Sequence, residues 1–152
     1  MAGTVKNQNN IPQLVKLFTD LSRYSVLIGI FGEDDSQMVE IGAYNEFGTC
    51  RIPERSFIRA GFDANKERID QICEMALNEA IEGALNGSSQ LDAKSMYDLI
   101  GLQVADIIRE FLTDLRIPPN APSTIRRKGS SNPLIDTGQL RSSIVWKVVA
   151  TK

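Results

Sequence analysis

Two consecutive helical stripes, interrupted by Gly87-Ser88-Ser89, commit the middle of this chain to a pair of helices. From Ser56 to Asn86, Ile58, Phe62, Ile69, Ile72, Cys73, Ala76, Ala80 and Ala84 fall on one side of what reads as a single long helix, about 45 Å at the usual rise. The glycine stops it, and the serines offer a cap to a second helix over Leu91–Leu115. That helix carries Met96, Ile100, Val104, Ile107, Ile108, Phe111 and Leu115 as its stripe. The small Ala76, Ala80 and Ala84 let the two helices lie close together.

Elements of other kinds flank the pair. Ile11, Leu14, Val15 and Phe18, widened by Leu17 and Leu21, predict a short amphipathic helix. Ser25–Phe31 is apolar at both alternating sets of positions, which predicts a strand covered on two sides, ended by Gly32 and the acidic turn Glu33-Asp34-Asp35-Ser36. Gln37–Phe47 suits a short helix closed by Gly48 in the left-handed cap. Pro118, Pro119 and Pro122 end the second long helix and begin a polar loop reaching about Asn132. Asp136 reads as the cap of a last short helix, with Gln139 three residues on reaching back to it. Ile144–Val149 has strong strand preference and is expected to pair with Val26–Phe31.

Composition narrows the chemistry. With 152 residues, 42% of them hydrophobic, the chain can build one core without disulfides or metal. It has no histidine and only Cys50 and Cys73, which excludes Ser-His-Asp and Cys-His catalysis and the familiar zinc spacings. Seventeen basic and nineteen acidic side chains nearly cancel, so the molecule as a whole is no sponge for nucleic acid. The charge is segregated, however: residues 60–115 hold four basic and eleven acidic groups, and 116–152 hold seven basic and one acidic. An acidic middle and a basic tail favour head-to-tail contact between copies, although solvated surfaces show the same split. The polar start, Met1–Asn10, reads as no secretory leader, and no stretch is long enough to span a bilayer. A reduced, cytoplasmic setting is the simplest expectation.

Three groups of charged residues invite a functional reading. Arg126, Arg127 and Lys128 are adjacent beside Gly129, and could hold phosphates, but their order is not that of a P-loop and no aromatic residue interleaves to stack bases. Glu33, Asp34 and Asp35 stand in a row without the spaced oxygens of a calcium loop and read as a solvated turn. Arg51, Arg55 and Arg59 recur every four residues, yet Pro53 forbids one helix through all three and makes the segment a rigid elbow. Ile52, Phe57 and Ile58 would dock that elbow into the core. The arginines' planar, permanently charged heads suit acidic groups of a neighbouring copy. No helix carboxylate stands beside a convincing nucleophile, and none of these groups makes a catalytic set.

With these segments in hand, the chain resembles the small tail-completion, head-tail joining proteins of long-tailed bacteriophages and prophages, a group overlapping the phage virion morphogenesis family. The resemblance is carried by Asn45-Glu46-Phe47-Gly48-Thr49, by Ile52-Pro53-Glu54-Arg55-Ser56-Phe57-Ile58-Arg59, and by Pro133-Leu134-Ile135-Asp136-Thr137-Gly138-Gln139-Leu140-Arg141-Ser142-Ser143-Ile144. In order and spacing these cover most of residues 24–149. Ser56 departs from the pattern, since relatives commonly place proline there; serine, a good cap, should still let a helix begin.

The resemblance implies an α+β subunit: a small antiparallel sheet packed against two long helices plus short helices. One domain would span 1–152, with a polar N-terminal tail at 1–10 and a long loop at 118–133. It implies a virion protein that assembles as a six-membered ring at the head-tail junction, completing the tail and joining it to the portal and connector. Such a protein works without chemistry or cofactors, in the host cytoplasm during assembly, with no membrane contact. Its expected partners are its own copies, connector or portal-side proteins, tail-tube or tail-terminator proteins, and non-specifically the lumenal DNA. The subunit and partner interface is expected on Arg51, Arg55, Arg59, Arg126, Arg127, Lys128 and Arg141. The structural motif is expected on Glu46, Phe47, Gly48, Pro53, Phe57, Asp136, Gly138 and Leu140. The competing expectation is a DNA-binding or packaging accessory module that uses the basic loop 126–128.

Overall fold

A computed structural model describes residues 9–33, 36–87 and 92–151, so the expected tail is described only at its last two residues, and Asp34, Asp35, Ser88 and Ser89 lie outside the described part. The elements run α1 Ile11–Leu21, β1 Tyr24–Gly29, α2 Ser36–Phe47, α3 Arg59–Ala64, α4 Lys66–Asn86, α5 Ala93–Asp114, α6 Pro122–Lys128, α7 Gln139–Ser142 and β2 Val145–Ala150. The fold is α+β: among the described residues seven helices accompany a two-stranded antiparallel sheet.

Helix α5 is the hub, packing against both strands and against α1, α3, α4 and α7. Its buried face, Met96, Ile100, Val104, Ile107, Ile108 and Leu112, meets Phe57 and Ile144, which are wholly buried, and the Ala76, Ala80 and Ala84 stripe of α4. Those alanines allow the close approach expected of them. The sheet lies across α5 in the register Val26↔Val148 and Ile28↔Trp146. Contact is close enough that a Cβ added at Gly101 would come within 2.4 Å of Trp146 Cδ1 and 2.9 Å of Val26 Cγ2. The strand reaches α5 because that helix presents a residue with no side chain.

Several expectations are corrected. The single helix expected over 56–86 is two helices, because Asn65 leaves helical geometry at φ −113° and ψ 17° and its side-chain amide donates to the carbonyl of Gly61 at 2.8 Å. The long helix is therefore the 21 residues of α4, about 31 Å. Helix α5 is capped by Asp92, whose carboxylate accepts the Ser95 N–H at 2.7 Å. Strand β1 is not covered on both faces: Leu27, paired with Lys147 on the face away from α5, is 48% exposed. In α1, Leu14, Leu17 and Leu21 face the core and Ile11, Val15 and Phe18 face out, so the apolar pattern there is wider than the face that packs. The expected loop 118–133 contains α6, which starts on Pro122, where a missing N–H costs nothing. Asp136 does not cap α7: a left-handed Gly138, at φ 84°, reorients the chain before the helix begins, and the Thr137 hydroxyl, not the Asp136 carboxylate, accepts the Gln139 N–H, at 3.4 Å.

Candidate docking groove

The elbow 48–58 is built around a carboxylate. Glu46 lies on the inward stripe of α2 with Met38 and Gly42 and is 4% exposed. Its Oε2 accepts the backbone N–H groups of Phe57 (2.7 Å) and Ile58 (2.9 Å). Its Oε1 accepts the Arg59 N–H (3.0 Å) and the Ser56 hydroxyl (2.8 Å). These donors stand at the start of α3, which has no side-chain cap of its own at the residue before it. Glu46 thus supplies in trans what a local cap supplies elsewhere, a negative charge on unpaired N–H groups. Burial raises the affinity of this carboxyl for a proton, but the donors from Ile58, Arg59, Ser56 and Phe57 outweigh burial and leave its pKa below the ordinary value.

Arg59 closes the arrangement from outside. Its Nε meets Glu46 Oε1 at 3.1 Å, one Nη donates to the Glu46 carbonyl and to Glu54, and its guanidinium lies 4.8 Å over the Phe47 ring. The Glu46 side-chain bond raises the Arg59 pKa first, with Glu46 and Glu54 charge adding to it against desolvation. Gly48, at φ 72°, turns the chain so tightly that a Cβ would sit 2.9 Å from the Glu54 nitrogen. The Thr49 hydroxyl then accepts the N–H groups of Arg51 and Ile52, and Pro53 passes through without helix. Ser56, at the position where the resemblance expected proline, serves both ends of the elbow: its hydroxyl donates to Glu46 and accepts the Ala60 N–H at 3.3 Å.

Arg55, expected on the interface between copies, is a latch within the chain. It is 6% exposed, and it donates from Nε to the Pro118 carbonyl (2.8 Å) and from Nη2 to the Pro119 carbonyl (3.0 Å) and Asn120 Oδ1 (3.3 Å). The Ile117–Pro118 peptide is cis, and this segment packs its carbonyls onto the guanidinium. Asn120 passes the connection on to the Asn132 carbonyl, while the Asn132 side chain accepts from Leu134 and Ile135 and donates to the Thr113 carbonyl. Arg141 joins the same region by donating to the Thr113 hydroxyl at 3.1 Å. Lys128 reaches the carbonyls of Asn132 (3.3 Å) and Pro133 (3.4 Å). Burial lowers its pKa, Asp136 opposes that, and Arg55 and Arg127 lower it further. Arg126 and Arg127 are exposed in the last turn of α6, where the helix dipole favours cations, and not in a flexible loop.

These pieces surround one groove of about 710 Å³. Its floor is apolar, with Met38, Ile41, Ile52, Pro53, Leu134 and Leu140, and its rim carries Arg51, Arg127 and Lys128 with Arg55 set into the wall. Asp136 and Gly138 also line it. The elbow, α6 and the segment before α7, dispersed over some ninety residues, thus converge. Of the residues singled out from the sequence, Arg59 and Phe47 lie outside the groove and brace the elbow, and Arg126 and Arg141 are not among its walls. Asn120 and Asn132, which stitch the 117–135 segment together, escaped the sequence reading. Their signal was their place beside prolines, where asparagine side chains commonly take over backbone bonding.

The groove offers shape, apolar surface and positive charge. Among the described residues no cluster of acids and cysteines could hold a metal ion, and no helix is long and apolar enough to cross a membrane. Cys50 and Cys73 are free thiols, with Cys73 pushed above its ordinary pKa by burial and then by Asp70. Comparison with known proteins returned no matching family model, curated protein or solved structure.

Proposed function

We propose that this chain is a structural subunit of a phage particle that forms a ring, six-membered by the resemblance, at the head-tail junction and completes or joins the tail without making or breaking bonds. The observation that carries the reading is the convergence at one place of the three stretches on which the resemblance rests. Glu46 ties the first to the second, and the second and third both line the groove. A joining subunit needs a surface of fixed shape, because a closed ring tolerates little variation in the angle between neighbours. The Glu46 cap and the Arg55 latch would supply that stiffness.

The test is removal of the protein from a phage that encodes it, with particles counted by electron microscopy. Filled heads beside free tails are expected; coupled, infectious particles would overturn the reading. The accessory DNA-binding alternative now leans on Arg126 and Arg127, since Lys128 is engaged with two carbonyls. It requires a salt-sensitive mobility shift that the Arg126→Ala/Arg127→Ala variant abolishes.

A further inference from the structure

We propose that the groove receives the outer face of α4 from a second copy of this chain. Four cations, Arg51, Arg55, Arg127 and Lys128, stand around it against the single carboxylate Asp136. Arg55 and Lys128 are bonded to carbonyl groups of Pro118, Pro119, Asn132 and Pro133, which carry no charge, and none of the four cations makes an ion pair among the described residues. Whatever fills the groove must therefore bring negative charge to the rim and apolar groups to the floor.

The outer side of α4 has both. Met75 and Leu85 are exposed there about 15 Å apart along the helix, with the exposed Glu82 between them on that side and the exposed Glu79 at its edge. Neither glutamate makes an ion pair among the described residues, whereas nearer the start of the helix Asp70 is taken by Lys66 and Arg68 by Glu110. A helix side that brings apolar anchors together with acidic groups suits an apolar groove with a basic rim. The groove cannot be filled by its own α4, which packs against α1, α3 and α5, away from the walls formed by α2, the elbow, α6 and the segment before α7. Because donor and receptor are different surfaces of one chain, the contact is heterologous and repeats from copy to copy.

The inference rests on the assembly reading above and supplies its contact. It is tested by charge exchange, with mass in solution measured by analytical ultracentrifugation and folding checked by circular dichroism. Arg51→Glu/Arg127→Glu and Glu79→Arg/Glu82→Arg, all at exposed positions, should each weaken self-association at least tenfold when alone. An equimolar mixture should regain the wild-type assembly, since every junction then joins opposite charges again, and rising salt should weaken the wild-type assembly. A variant assembling as tightly as wild type, a mixture that stays monomeric, or a wild type monomeric at every concentration overturns the proposal. Should a reversed variant not fold, Arg51→Gln/Arg127→Gln and Glu79→Gln/Glu82→Gln must show the same loss. If the exchange behaves as expected but heads and tails couple without the protein, the joining reading fails and this contact stands. If coupling needs the protein but charge exchange has no effect, the reverse holds.

Discussion

The backbone N–H of Phe57 donates to Glu46 Oε2 at 2.7 Å, so a buried carboxylate on one helix caps the start of the next across eleven residues. Removing it should be expensive. Glu46→Ala leaves several buried donors without a partner and is expected to cost about 3 kcal/mol, with Glu46→Gln falling between it and wild type. The check is urea unfolding with the slope unchanged and the midpoint lowered.

The same carboxylate sets a pH dependence. Its pKa is depressed in the folded chain, so its stabilisation is fully present above the ordinary value of about 4.3 and is lost as pH falls through the lower folded value. The melting-temperature gap between wild type and Glu46→Gln should therefore stay constant from neutral pH down to about 5 and close below it. A gap that persists at the most acidic measurable pH would show that shape, not charge, makes the cap.

Arg55 should govern the order of the 117–133 segment. Arg55→Lys keeps the charge but cannot reproduce a fork that reaches two carbonyls and Asn120, and is expected to cost about 2 kcal/mol. Amide hydrogen exchange should quicken over residues 117–133 and stay unchanged in α4. Charge reversal at Arg55 would for the same reason report on folding, since it leaves an acid among carbonyl oxygens.

Gly101→Ala places a methyl group 2.4 Å from the Trp146 ring, and the sheet must move away from α5 to admit it. A loss of about 2 kcal/mol is expected, accompanied by a shift in tryptophan emission as Trp146, the chain's only tryptophan, gains water. Wild-type stability with unchanged emission would place the strand farther from α5 than described.

What the sequence determined by itself were the features that depend on neighbours in the chain. The helical periods marked α4 and α5, β-branched runs marked both strands, Gly48 and Pro53 fixed the elbow, and Ala76, Ala80 and Ala84 specified close packing. Local pattern failed where a distant group decided the outcome. Glu46 and Phe47 stand side by side in the expected structural motif, yet Glu46 is buried and Phe47 is 65% exposed, because the unpaired N–H groups of Phe57, Ile58 and Arg59 draw the charge inward. Arg55, expected to meet acids of a neighbouring copy, is drawn in by the carbonyls of Pro118 and Pro119, more than sixty residues away. The groove likewise exists only after residues 38–55, 119–128 and 133–140 have been brought together. Periodicity records which face of an element is apolar; which polar groups are left unpaired, and what comes to satisfy them, is settled only when separate elements meet.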